Sequence, residues 1–326
     1  MRIFVVGATG ALGRRLVPLL VEGGHAVIGT TRTPDKVEGL MAMGAAPVVL
    51  DLLERDAVRE ALFRTEPEVV VHQATALAGF TDFRKFDQGF AATNRLRTEG
   101  TDNLIAAMRG LGIRRLVAQS YAGWPHERVG GPVKTEEDPL DEDPPEAVRR
   151  TLGAILHLER AVLDTEGIDG IALRYGGFYG PGTSLGEGGF QLEAVRRRRF
   201  PIVGRGTGIT SFIHIDDAAT GTLAAIESHR TGLYNIVDDD PAPVAEWLPI
   251  LADAIDAKPP RRVPVWMARL FAGEHGVVMM TEARGASNAK AKRELGWRPG
   301  YPAWRDGFRR GLGGLPRAAA AEAGEC

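Results

Sequence analysis

Short apolar runs rich in valine and isoleucine recur along the chain between longer segments of helical period. Arg2–Val6, Ala26–Gly29, Pro47–Leu50, Val69–His72, Arg115–Gln119 and Ile171–Leu173 read as strands. Several carry apolar residues at consecutive rather than alternating positions, the pattern of parallel strands covered on both faces. Helical patterns lie between them at Ala11–Glu22, Pro34–Met43, Ala57–Arg64, Ala92–Leu111 and Glu146–Asp164. Strand and helix in strict alternation predict an α/β protein built on a doubly wound parallel sheet. After residue 176 glycine and proline become dense, as in Gly180-Pro181-Gly182 and Gly188-Gly189. That change predicts a smaller C-terminal substrate-binding lobe fed by loops at the carboxyl ends of the strands. The expected division is residues 1–175 with parts of 205–240, a lobe over 176–314, and a flexible tail over 315–326.

Composition narrows the class. The 326 residues are 44% hydrophobic and 25% charged, as in an ordinary globular enzyme. A net charge of −2 gives no bulk attraction to nucleic acid or to an anionic membrane. The basic run Arg196–Arg199 reads as a solvated helix end. The one cysteine, Cys326, excludes an internal disulfide and a cysteine-based metal site. No apolar run spans a bilayer, and the first strand starts at Arg2, so the expectation is a cytoplasmic protein.

The turn Gly7-Ala-Thr9-Gly10-Ala11-Leu12-Gly13 sits between the strand Ile3-Phe-Val-Val6 and a helix. In that setting Gly7 permits a tight turn, Gly10 lets backbone approach a pyrophosphate, and Gly13 lets helix and strand pack closely. Free N–H groups at the helix start then face phosphate. This is a Rossmann-type dinucleotide site. At the end of the second strand, an Asp or Glu would select NAD(H) by bonding the ribose 2′-hydroxyl; here Thr31 is followed by Arg32. A guanidinium suits a 2′-phosphate, so NADP(H) is expected over NAD(H), although Arg32 stacked on adenine serves either.

These motifs and others in order resemble the extended short-chain dehydrogenase/reductase family, which includes epimerases and dehydratases. The further matches are Asp51-Leu52, His72-Gln-Ala74-Thr75, Asn94 with Glu99-Gly-Thr-Asp-Asn103, Ser120 and Leu173-Arg-Tyr175-Gly176-Gly-Phe178-Tyr179. Ser211-Phe-Ile-His214-Ile-Asp216-Asp217, Tyr234-Asn235 and Leu295-Gly-Trp-Arg-Pro299 complete the series. The resemblance implies Asp51 and Leu52 at the adenine, and Ala74 and Thr75 at the ribose and pyrophosphate. It puts Tyr175 and Gly176 on the nicotinamide side and counts Asn94 with the cofactor residues. It also implies a catalytic Tyr with a Lys four residues on, followed by a Glu. Anchoring on Glu159 puts Ile155 at the Lys position and Thr151 at the Tyr position. No tyrosine lies between Tyr121 and Tyr175, and the lysines are Lys36, Lys85, Lys134, Lys258, Lys290 and Lys292.

Two residues at the end of the fifth strand are the remaining catalytic candidates. Tyr121 falls where relatives carry a substrate-binding Ser or Thr, and either donates a proton or caps the core; Ser120 either hydrogen-bonds substrate or is held by backbone. Trp124, Phe178 and Tyr179 are expected as cleft walls. His126 and Lys134 follow in a loop over the cleft, His126 as a solvated residue, and His157 is expected to be packed on its helix. His214 with Asp216 and Asp217 is read as structure, with no metal. Family members that act on nucleotide sugars carry an Arg before the Phe-Ile-His segment, where this chain has Thr210-Ser211. The expected activity is therefore hydride transfer to a small carbonyl or hydroxyl compound with a non-standard proton donor. A dinucleotide sensor or a non-redox lyase or isomerase on the same scaffold is the alternative. Helices Ala92–Leu111 and Glu146–Asp164 either form a homodimer interface or complete the core.

Overall fold

The protein is described from a computed structural model that covers residues 1–77, 86–123 and 126–313. Seven strands form one parallel sheet: β1 (Arg2–Val6), β2 (Ala26–Thr31), β3 (Ala46–Val49), β4 (Val69–His72), β5 (Arg115–Tyr121), β6 (Asp169–Tyr175) and β7 (Gly232–Ile236). Their order is β7-β6-β5-β4-β1-β2-β3. The chain therefore winds outward from β1 in one direction and then in the other. The crevice between β1 and β4 is the switch point where ligands bind in such sheets.

Alternate residues of β1 enter different cores. Ile3 and Val5 pack with Leu16, Val17 and the helix Ile215–Glu227 on one face. Phe4 and Val6 pack with Leu62, Leu104 and Met108 on the other. Burial on both faces explains the unbroken apolar runs of the sequence. The C-terminal lobe has a separate aromatic core of Tyr179, Phe212, Trp247, Trp304 and Phe308.

Two features were not read from sequence. β7 is a five-residue strand, Gly-Leu-Tyr-Asn-Ile, too short and too polar to stand out; it is defined by pairing with β6 from Gly232↔Ile171 to Ile236↔Tyr175. The expected continuous helix Ala92–Leu111 is broken into Ala91–Arg95, a π-helical turn at Leu96–Gly100 and the helix Thr101–Leu111. At that turn Gly100 lies against Leu52, where a Cβ would stand 2.8 Å from the leucine side chain. Among the described residues no helix is long and apolar enough to cross a membrane.

Candidate dinucleotide and substrate site

The glycine turn is built as a phosphate cradle. Gly7 has φ +84, a left-handed conformation that favours glycine, and a Cβ there would lie 2.8 Å from the backbone of Gln73 and Ala74. A Cβ on Gly13 would stand 2.5 Å from the carbonyl oxygens of Gly7 and Ala8. The following helix begins at Gly13, two residues later than the sequence suggests, because Gly10 N–H donates to Gly7 O at 3.0 Å and closes a turn first. No side chain caps this helix and its first turn holds no acid, so its orphan N–H groups suit an anion.

The other expected cofactor residues line the same sheet edge. Thr9 and Ala11 are half-buried and Leu12 is buried. Thr31 ends β2 and its hydroxyl organises Thr33, which leaves the next side chain, Arg32, exposed at the rim. Asp51 accepts from Leu53 N–H at 3.0 Å, and Leu52 is buried beneath it. Ala74 and Thr75 follow β4, half-buried, and Gly176 follows β6. Gly176 is closed on its other side, because a Cβ there would lie 2.7 Å from Ser211 O.

Several expected site residues are already committed to neighbours. Tyr175 is buried with its phenol accepting from Gln73 Nε2 at 3.2 Å. It shares a 2.6 Å bond with Thr222, whose hydroxyl proton goes to Ala218 O, so Tyr175 is the donor there. Ser120 is 1% exposed and donates to Glu159 at 2.6 Å rather than to backbone. Tyr179 is fully enclosed, its ring edge-on to Phe212, His214 and Phe308. It is a packing residue of the lobe and not the cleft wall expected from the sequence. Phe178 is half-buried with its ring 5.4 Å from that of Tyr175. Trp124 lies outside the described residues, as does the tail from Leu315.

The helix Arg149–Asp164 presents Thr151, Ile155 and Glu159 at four-residue spacing, on one buried stripe. Asn94 Nδ2 donates to the Thr151 hydroxyl at 3.0 Å, and Asp87 accepts from the amides of Arg150 and Thr151. Ile155 packs with Phe86, Val148 and Leu152. Glu159 accepts a two-pronged bond from Arg174 at 2.7 and 2.6 Å, both side chains buried. Tyr121 sits half-buried at the end of β5, its ring covering Gly123, and burial pushes its pKa up to about 12. It is a neutral phenol at ordinary pH.

His126 and His214 are structural. His126 is 1% exposed, not solvated as expected; burial foremost, then the nearby Arg174 charge, hold its pKa down to about 4. His214 caps the helix Ile215–Glu227 by accepting from Asp216 N–H, and its Nε2 bonds Gly311 O at 2.9 Å. Asp217 caps the Gly300 and Tyr301 amides. No cluster of metal-binding side chains occurs among the described residues. His157 pairs with Asp102 at 2.7 Å on the surface. Thr210 accepts from Trp247 Nε1, and Ser211 from Ala286 N–H, so both are bound within the lobe.

Sequence reasoning missed Arg97. It lies on the π-helical turn, three residues beyond Asn94, and is 5% exposed. The available signal was a single cation in the buried stripe Thr93, Arg97, Thr101, Leu104 and Met108.

Residues 3–237 match the model of the NAD dependent epimerase/dehydratase family. The chain belongs to that family. It is similar to a Streptomyces protein named 3-diazoavenalumate denitrifying reductase, 42% identical over 311 residues, covering 95% of this chain and all of that one. A Stenotrophomonas maltophilia 2-alkyl-3-oxoalkanoate reductase is 30% identical over 275 residues, with 79% of this chain and 76% of the relative covered. Among solved structures, a human epimerase family protein with NADPH superposes with a TM-score of 0.74 at 19% identity, over 96% of this chain and 99% of that one. That likeness speaks for the fold.

Proposed function

We propose that this family member is an NADP(H)-dependent reductase that passes hydride to a small aromatic acceptor whose reduction takes no proton from the protein. The observation that carries the reading is the stripe on the helix Arg149–Asp164, where Thr151 is locked between Asn94 and Asp87 and Ile155 is apolar. Neither serves as an acid or base in water-like conditions. The family resemblance expects a Tyr and Lys at those two positions, and neither is present.

The residues fit the cofactor. The free N–H groups from Ala11 to Gly13 would receive the pyrophosphate, Asp51 and Leu52 would flank the adenine, and Arg32 would take the 2′-phosphate. Ala74 and Thr75 border the ribose, and Gly176 leaves the end of β6 flat for the nicotinamide. A bound nicotinamide supplies the hydride. The protein's part is then orientation and exclusion of water over the ends of β4 and β5, which suffices where no proton moves.

The Streptomyces relative, similar along its whole length, is named for reductive loss of nitrogen from a diazo compound. That chemistry asks for no acid at positions 151 and 155. Hydride and an aryl diazonium ion give an arene and dinitrogen. The hydride pair forms the C–H bond, the C–N pair leaves with nitrogen, and no proton is required. We therefore infer a diazo-bearing arene as the acceptor, with Phe178 as one wall.

The test is purified protein with NADPH and benzenediazonium salt, reading benzene and dinitrogen against NADPH consumed. One of each per NADPH, faster than without protein, supports the reading. Tight NADPH binding with no protein-dependent turnover would end it. A second reading, reduction of a ketone with Tyr121 as the acid, has the oxoalkanoate reductase relative and the neutral phenol at the end of β5 in its favour.

A further inference from the structure

Arg97 is a charge without an evident partner. Its Nη1 is buried with no hydrogen bond, and among the described residues it forms no ion pair. Taking a guanidinium from water without compensation is costly, so such a group is normally paired or replaced. Among the described residues the carboxylate that bears on it is Glu159, and Glu159 is saturated. Its Oε1 accepts from Ser120 and from Arg174 Nε, and its Oε2 from Arg174 Nη2. Arg97 and Arg174 thus both bear on Glu159, and the hydrogen bonds of that carboxylate go to Arg174 and Ser120, not to Arg97. Burial lowers the Arg97 pKa to about 10, which leaves it protonated at neutral pH.

The location is specific. Arg97 rides on a π-helical turn, a distortion often found at functional positions. That turn packs against the helix carrying Thr151, Ile155 and Glu159, and the charge of Arg97 reaches Tyr121 at the end of β5. Beside it Asn94 has a buried Oδ1 without a hydrogen-bond partner. The buried cation therefore stands between the end of β5, at Tyr121, and the helix that carries Thr151, Ile155 and Glu159.

We propose that Arg97 anchors the substrate through a carboxylate, making this an enzyme for small aromatic acids. A carboxylate matches the planar fork of a guanidinium with two charge-assisted bonds, and in a buried site it supplies a countercharge. The anchor fixes which end of an acceptor faces the nicotinamide. The inference rests on the cleft being the substrate site of the proposed reductase, but its test reads binding rather than turnover, so the two fail separately.

The experiment compares cinnamate, 3-phenylpropionate and benzoate with their methyl esters, binding to full-length protein saturated with NADP+, by calorimetry. At least one acid is expected to bind tenfold or more tighter than its ester. Arg97→Met should remove that preference while keeping NADP+ affinity, and Arg97→Lys should keep part of it. Acid and ester bound alike by the wild type, or a preference that survives in Arg97→Met, would overturn the proposal. The wild-type comparison stands even if one variant folds poorly. Losing a buried cation should leave the ligand-free Arg97→Met protein at least as resistant to heat as the wild type.

Discussion

The Thr151 hydroxyl donates to Asp87 Oδ1 at 2.6 Å while accepting from Asn94 Nδ2. A fully buried threonine thereby ties the start of the helix Arg149–Asp164 to the helices Phe86–Gly89 and Ala91–Arg95 packed against it. Thr151→Val keeps the shape and deletes the hydroxyl, stranding the amide of Asn94 and one bond of Asp87. The expected loss is about 1–3 kcal/mol in urea unfolding, the penalty for buried groups left unsatisfied. Cofactor affinity should stay within about twofold, because the residue does not face the glycine turn.

Arg32→Ala should weaken NADPH binding by roughly ten- to a hundredfold and leave NADH binding nearly unchanged, the worth of one charge-assisted contact to a phosphate. Fluorescence titration with both cofactors measures the ratio. Equal losses for the two would assign Arg32 to adenine stacking instead.

Stability should fall with acid in a defined window. His72, His126 and His275 are buried and held down to about 4 from an ordinary 6.5, in each case chiefly by desolvation. The folded state keeps them neutral while the unfolded chain takes up protons below its own pKa. Their contribution is therefore complete above about pH 6.5 and is lost as the pH falls towards 4. Unfolding free energies from urea titration should be flat from pH 7 to 8 and drop by several kcal/mol in all by pH 4.5. His72→Gln, which removes one of these protonation sites, should flatten that slope in part.

Tyr121→Phe separates the two reductase readings. If hydride goes to a diazo carbon, the pH–rate profile and kcat should match the wild type within about threefold. If Tyr121 protonates a ketone, kcat should fall by about 10²–10⁴-fold, the usual worth of a general acid.

The sheet was legible because its strands are buried on both faces and its turn needs glycines that nothing else replaces. Val5, Val70 and Val117 announce a core wherever the chain runs, and Gly7 and Gly13 sit where backbone leaves no room for a Cβ. The seventh strand was not legible, because its identity comes from the neighbour it pairs with. The candidate site was legible only in the backbone of its glycine turn. Whether Tyr175 or Ser120 is free for ligand depends on Thr222, Gln73 and Glu159, which lie far away in sequence and meet them only in the fold. Arg97 was overlooked for a similar reason. Nothing local distinguishes a buried arginine from a solvated one until the helix stripe is laid out.

The Gln73–Tyr175–Thr222 chain of hydrogen bonds joins the end of β4, the end of β6 and the helix Ile215–Glu227. The wall behind the glycine turn is thus braced by residues some two hundred positions downstream. The same holds for the core beneath it, where Ile213, Ala218, Tyr234 and Trp297 pack with Ile3 and Val5. A protein cut after residue 175 would retain every residue expected to hold the nucleotide's phosphates and yet lose ten of the 26 buried residues in that core, with β6 left as a bare edge. The N-terminal half of this protein is therefore completed by segments far downstream of it. Fusion or fragment designs that borrow it should carry residues 211–237 and the helix Ala289–Glu294 with it.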